Sequence, residues 1–275
     1  MFPPRKILFP VDFSERSIAV VPAAEAFARQ FDAQLTLMHV KNPAAVYDPT
    51  MTPESRLKEF ASRKEFSGIQ VRTMLSCGEP ADAIVRFAHD VKSDLILMPT
   101  HGYGPFRQFL LGSVTLKVLH DAWCPVWTDA HCEEMDAKPA RRIRSVVCAV
   151  DLTTKGHPAL QFAWQLAKAN DAKITIVHAV PLLTSYGAEY VAADWQEEIA
   201  QAAERQIECL QKSEGTSAPV EIVLGEVATA VRGAAEEDKA DVVVIGRSVE
   251  DRGLGRLRTH AYSIIRHSHC PVISV

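Results

Sequence analysis

The sequence predicts an α/β protein built as two tandem doubly wound domains, each a five-stranded parallel sheet of Rossmann-like strand order 3-2-1-4-5. Three observations predict it. Five sequence blocks recur in the same order in the second half of the chain, and short β-branched apolar runs alternate with amphipathic segments of helical spacing. The third is length, since 275 residues fit two domains of ordinary size.

The repeat is explicit. Lys6-Ile-Leu-Phe-Pro-Val-Asp12 returns as Ser145-Val-Val-Cys-Ala-Val-Asp151, and Leu35-Thr-Leu-Met-His39 returns as Ile174-Thr-Ile-Val-His178, both 139 positions later. Gly78-Glu-Pro-Ala matches Gly225-Glu-Val-Ala, and Ser93-Asp-Leu-Ile matches Ala240-Asp-Val-Val, now at an offset of 147. Trp123-Cys-Pro-Val matches His269-Cys-Pro-Val at 146. A duplicated domain explains ordered blocks whose offset changes only slightly. The expected division is a first domain over 1–130, a linker over 131–142 and a second domain over 143–275. The linker is charge-rich and carries a Pro.

In the first copy the pattern predicts β1 near 6–11, a helix from Ser14 to Gln30, β2 near 34–40, a helix near 53–66 and β3 near 69–76. A helix from Glu79 to about Val91, β4 near 94–98, a helix from Gly112 to about Asp121 and β5 near 124–128 complete it. Ser14 and Ser113 stand where an N-cap belongs, each offering an oxygen to the unpaired N–H groups of a first turn. Strands this apolar are buried on both faces, so helices must cover both sides of the sheet.

Composition narrows function. Thirty Lys+Arg face 34 Asp+Glu, and each side of residue 140 carries 15 basic and 17 acidic residues, so neither half has the basic excess that nucleic-acid binding requires. The longest apolar runs, such as Val242 to Ile245, are far too short to span a membrane. The start of the chain lacks the apolar core of a secretory signal, which leads to the expectation of a cytoplasmic protein. Six cysteines without CxxC spacing read as reduced thiols.

Ligands of an open parallel sheet gather beyond the carboxyl ends of the strands, where strand order reverses. Asp12 ends β1, His39-Val40 ends β2, and the segment from Pro99 to Thr115 links β4 to the next helix. Gly112-Ser113 opens that helix, where free N–H groups, a hydroxyl and the positive end of the helix dipole favour an anion such as phosphate. Gly102 and Gly104 let the backbone approach a ligand closely. A nucleotide is the natural occupant.

Together, Pro10-Val-Asp12-Phe-Ser14, His39-Val40, Thr100-His-Gly102, Leu110-Leu-Gly112-Ser-Val-Thr115 and Cys124-Pro-Val126 resemble the universal stress protein family in its tandem two-domain form, over nearly the whole chain. From Gly102 the family's phosphate-loop spacing is met: nine residues, Tyr103 to Leu111, precede Gly112-Ser113. The resemblance implies an adenine-nucleotide site for ATP, with or without Mg²⁺, made by Asp12, Val40, Gly102, Gly112, Ser113, Val114 and Thr115. It also implies pairing of the two domains through their last strands, Val126-Trp-Thr128 and Val272-Ile-Ser-Val275, and leaves a further homodimer open. The function it implies is a nucleotide sensor or adaptor in the stress response, with no catalytic residues.

The sequence departs from the pattern in two places. Pro99 stands where the loop's first Gly is expected and has no N–H to donate, so weakened rather than abolished binding is expected. In the second copy Ala179 replaces Val40, Val249 replaces the second Gly and Arg258-Thr259 replaces Gly-Ser. Arg247, Arg252, Arg256 and Arg258 either hold a phosphate there or form a solvated loop paired with Glu250 and Asp251. Asp12 reads as a ligand or as a helix cap. His267-Ser-His269-Cys270 has metal-binding residue types, but strand alternation separates its donors and favours a structural role. Hydrolysis is disfavoured by the absence of a P-loop motif and a carboxylate pair. The alternatives are an interaction module of the same fold without nucleotide, and a slow ATPase or adenylating enzyme.

Overall fold

The computed structural model describes residues 2–41, 51–101, 111–130, 142–152, 157–180, 189–247 and 259–275, with the backbone alone at 189–194 and 259. The chain divides into two compact units, the first running to Arg141 and the second beginning at Arg142.

The first unit runs β1 (Lys6–Pro10), α1 (Glu15–Gln30), β2 (Gln34–Lys41), α2 (Pro53–Ala61), a 3₁₀ turn (Lys64–Phe66), β3 (Val71–Cys77), α3 (Pro80–Val91), β4 (Leu95–Pro99), α4 (Ser113–Asp121) and β5 (Val126–Asp129). Its strands are parallel and lie in the order β3-β2-β1-β4-β5. The helix expected over 53–66 is thus a shorter α2 and a separate 3₁₀ turn. The expected linker at 131–142 falls almost wholly outside the described residues.

The second unit runs β6 (Ser145–Ala149), α5 (His157–Asn170), β7 (Lys173–Val180), α6 (Glu189–Glu214), β8 (Val220–Leu224), α7 (Val227–Glu237), β9 (Val242–Ile245), α8 (Thr259–His267) and β10 (Val272–Ser274). Its sheet, β8-β7-β6-β9-β10, is parallel and has the same winding order. The eight residues that raise the repeat offset from 139 to 147 fall between β7 and β8, and α6 has 26 residues where its counterpart α2 has nine.

The central strands are continuous apolar runs because helices cover both faces: every residue of β4 and β9 is buried. Helix α1 presents Val20, Val21, Ala24, Phe27 and Ala28 to the sheet, the spacing of one helical face. It starts at Ser14, whose Oγ accepts from the N–H of Ser17 at 3.2 Å, the predicted cap.

The repeated polar residues are joints of the fold. Asp94 Oδ2 accepts from the N–H groups of Arg5 and Lys6, both at 3.0 Å, and Asp241 Oδ2 accepts from Arg144 at 2.7 Å and Ser145 at 3.1 Å. Each aspartate therefore ties the start of one central strand to the start of its neighbour. Gly78 and Gly225 have φ of +122° and +142°, a turn that side-chain-bearing residues rarely make. The glutamate after each then caps a helix: Glu79 accepts from the N–H of Asp82, and Glu226 from those of Ala228 and Thr229.

Candidate functional site

Strand register fixes where the site residues emerge. Ile7 and Leu8 of β1 lie beside Leu95 and Ile96 of β4. Carried forward along both strands, that register puts Asp12 level with Thr100, on the carboxyl edge where the chain turns one way to β2 and the other way to β5. This is the switch point of the sheet.

Asp12 is held by its own turn. Its Oδ1 accepts from the N–H of Ser14 at 3.0 Å, the hydroxyl of Ser14 at 2.5 Å and the hydroxyl of Ser17 at 2.6 Å. Ser17 Oγ in turn accepts from the N–H of Asp12 at 3.2 Å. Ser14 is the helix cap, and Asp12 orients it.

Between the two sits Phe13 at φ +63°, a left-handed conformation that costs an ordinary residue about 1–2 kcal/mol. Its ring lies 4.5 Å from that of His39 and 6.1 Å from that of Phe60, with the Arg56 guanidinium 4.6 Å from its centroid. His39, at the end of β2, places Nδ1 2.8 Å from the carbonyl oxygen of Val11. That carbonyl only accepts, so Nδ1 carries a proton and Nε2 is left as the acceptor of the neutral ring. Nε2 is buried with no hydrogen-bond partner among the described residues. Burial holds the His39 pKa below its ordinary value, and the charge of Arg56 adds to this; the Val11 carbonyl, Asp12 and Glu54 oppose it. Val40, the next residue, is half-buried and pairs with Ser76 of β3.

The start of α4 reaches the same edge. Gly112, not Ser113, is the N-cap: its N–H donates to Thr100 O at 2.8 Å and its carbonyl accepts from Leu116 at the same distance. The expectation of a Ser113 cap is corrected here, because the bond to Thr100 fixes the glycine in the extended cap conformation and makes Ser113 the first helical residue. Ser113 is exposed and Val114 half-buried. The amides of Ser113, Val114 and Thr115 precede the first intrahelical donor, so the helix offers them no acceptor. Thr115 is buried and donates its hydroxyl to Pro99 O at 3.0 Å, fastening α4 to the end of β4. Pro99 closes β4 and serves through its carbonyl. His101 Nδ1 lies 2.9 Å from Thr100 Oγ1. Gly102, Gly104 and Arg107 lie outside the described residues.

Asp12 and the leading turn of α4 are thus brought to one edge through Thr100. Sequence reasoning missed Phe13, Arg56 and the joint at Thr100. Phe13 follows Asp12 directly, but its left-handed backbone leaves no compositional mark, and Arg56 comes from a separate helix.

In the second unit His178 Nδ1 lies 2.8 Å from Val150 O, repeating the His39 joint. Arg247 is buried and its main-chain N–H donates to Val275 O at 2.7 Å. Val249, Arg252, Arg256 and Arg258 lie outside the described residues. Ser268 Oγ donates to Cys270 O at 2.8 Å, so the His267–Cys270 segment makes a hydrogen-bonded turn. Among the described residues no group of three His, Cys, Asp or Glu could hold a metal, and no helix is long and apolar enough to cross a membrane.

The model of the universal stress protein family matches residues 3–128 and again 142–275. Universal stress protein MJ0531 of Methanocaldococcus jannaschii is 33% identical over 135 residues, covering 44% of this chain and 79% of that protein. Universal stress protein YxiE of Bacillus subtilis is 30% identical over 141 residues, covering 44% of this chain and 95% of that one. The crystal structure of a universal stress protein from Archaeoglobus fulgidus has a TM-score of 0.76 and 24% identity, covering 99% of this chain and 98% of its own, a likeness of fold. The chain belongs to the universal stress protein family and carries its domain twice in tandem.

Proposed function

We propose that the first domain binds an adenine nucleotide, ATP with or without Mg²⁺, and acts as a sensor or adaptor in the stress response with little or no turnover. One observation carries this reading: the oriented carboxylate of Asp12 and the leading amides of α4 meet the same sheet edge at the level of Thr100. Helix-leading amides and the positive end of the helix dipole suit the phosphates. Asp12 and the main chain at Val40 suit the adenine, as the family resemblance implies. Gly102, Gly112, Ser113, Val114 and Thr115 complete the proposed set. In this reading the second domain supports the first by pairing through the strands that end each unit, a further homodimer is compatible with it, and the protein works in the cytoplasm.

The rival reading is an interaction module of the same fold without nucleotide. It draws on the Gly112 amide and the Thr115 hydroxyl, which are both engaged by the chain itself. Titration calorimetry of the full chain with ATP separates the two. Gly112→Ala is a tolerated probe, because among the described residues beyond its chain neighbours its Cβ would come no closer than 3.4 Å, to Thr100 O. Saturable binding weakened at least tenfold by Gly112→Ala or Asp12→Asn supports the site. No heat from the folded wild type sinks it. Phosphate release over hours would move the reading to a slow ATPase.

A further inference from the structure

Strand β3 is the outer strand of the first sheet, and among the described residues no strand pairs with its free side. Its register with β2 is unbroken from Val71 to Cys77. Leu35 N–H donates to Gln70 O before it and Gly78 N–H donates to Lys41 O after it. Even-numbered residues therefore turn their peptide groups inward to β2. Val71, Thr73, Leu75 and Cys77 turn theirs outward, giving four donors and four acceptors on the open edge.

Beside that edge a cleft of about 330 Å³ lies between β3 and α3. Met38 and Met74 are cross-strand partners and line it together with Phe87 of α3. Thioethers adapt to apolar side chains of varied shape, which suits a peptide-receiving surface. Glu79 and Asp90, both exposed, stand at the two ends of α3 along the rim, with Arg86 between them. Asp82, on the same rim, is paired with Lys117. Glu79, Asp82 and Asp90 outnumber Arg86 and Lys117 by one charge, so the rim favours a cationic occupant.

An open strand edge next to a helix-walled cleft is the geometry of strand addition, in which main-chain hydrogen bonds give affinity and alternate side chains give specificity. We propose that the edge of β3 and the cleft beside α3 receive an extended peptide segment of a partner protein, with an apolar residue in the cleft and a basic residue two positions away on either side. Two residues is the spacing at which side chains of a strand share a face. A second copy of this chain is a poorer occupant, because edge-to-edge pairing would bring two acidic rims together. The second unit lacks the cleft's lining: the positions equivalent to Met74, Arg86 and Phe87 are Glu221, Gly233 and Ala234. Docking here uses no atom of the proposed nucleotide site.

The test uses the full chain and the capped heptapeptide Thr-Lys-Thr-Leu-Thr-Lys-Thr, whose Lys, Leu and Lys share one face, with a Glu-for-Lys version as control. Saturable binding should be weakened at least about tenfold by Thr73→Pro, which removes an outward N–H and spares the ladder to β2. Met74→Glu, which copies the second unit, should weaken it similarly, and the Glu peptide should bind worse than the Lys peptide. Amide exchange at Val71, Thr73, Leu75 and Cys77 should slow when the Lys peptide is bound. Absence of binding, or binding indifferent to both variants with exchange at those amides unchanged, overturns the proposal. So does self-association abolished by Thr73→Pro without peptide protection, which would assign the edge to a second copy. Should Thr73→Pro fail to fold, Met74→Glu and the exchange pattern decide.

Discussion

The imidazole Nδ1 of His39 lies 2.8 Å from the carbonyl oxygen of Val11, which ties the end of β2 to the turn that carries Asp12. His39 is 9% exposed, and its pKa is held below the ordinary 6.5 by burial. The unfolded chain therefore takes up a proton near pH 6.5 that the folded chain resists. Stability from this group is complete above that pH and is lost as pH falls below it, towards the lower folded value. Thermal unfolding followed from pH 7.5 to pH 5 should show this loss, and His39→Gln should flatten it. An unchanged profile in the variant would assign the acid sensitivity to other groups.

Phe13 combines a left-handed backbone with a stacked ring, so its substitutions should rank in an unusual order. Truncation to Ala loses the contacts to His39, Phe60 and Arg56 and keeps the strain at φ +63°. Truncation to Gly loses the same contacts and removes the strain. Phe13→Gly should therefore be more stable than Phe13→Ala by about 1 kcal/mol, the reverse of the order in a helix. Urea denaturation of the two variants measures it, and Ala equal to or above Gly would show that the left-handed backbone is not maintained.

Much of this was legible in the sequence for a physical reason. Strands buried on both faces must be continuously apolar, so β1, β4, β6 and β9 announced themselves. The repeated blocks marked what the fold cannot vary: Asp94 and Asp241, His39 and His178, and the Gly-Glu pairs at 78–79 and 225–226 all make the same joint twice. What stayed hidden was settled by tertiary contacts. Gly112 and Ser113 both have cap chemistry, and only the bond from Gly112 to Thr100 decides between them. The ring of hydrogen bonds around Asp12 needs the backbone turn at Phe13, and the cleft beside β3 needs Met38, Met74 and Phe87 from three elements.

The paired aspartates allow a comparison across the repeat. Asp94→Ala leaves the N–H groups of Arg5 and Lys6 without their carboxylate, and Asp241→Ala does the same to Arg144 and Ser145. Each should cost about 1 kcal/mol, because these bonds lie near solvent and water replaces part of them. The corresponding Asn variants keep an accepting oxygen and should lose less than half as much. Denaturant midpoints of the four variants test this, and an Asn loss equal to the Ala loss would point to charge rather than the hydrogen bonds.

Cys148 gives the clearest chemical contrast among the thiols. It lies within β6, fully buried, and burial pushes its pKa up to about 12. Alkylation requires the thiolate, whose native fraction at pH 8 is then about one part in ten thousand. Exposed Cys77 and Cys209 should react with iodoacetamide at that pH while Cys148 is spared, and mild urea should bring Cys148 into reach. The same shift has an alkaline consequence. The unfolded thiol ionises near 9.0 and the folded one does not, so this stability is complete below pH 9 and is lost as pH rises from there towards the folded value. Cys148→Val, which removes the titrating group and keeps an apolar residue in the strand, should reduce the loss of stability between pH 8.5 and pH 10.5. Peptide mapping after labelling and thermal unfolding across that range read the two effects separately. Rapid native labelling of Cys148 would mean that β6 opens far more often than a central strand should.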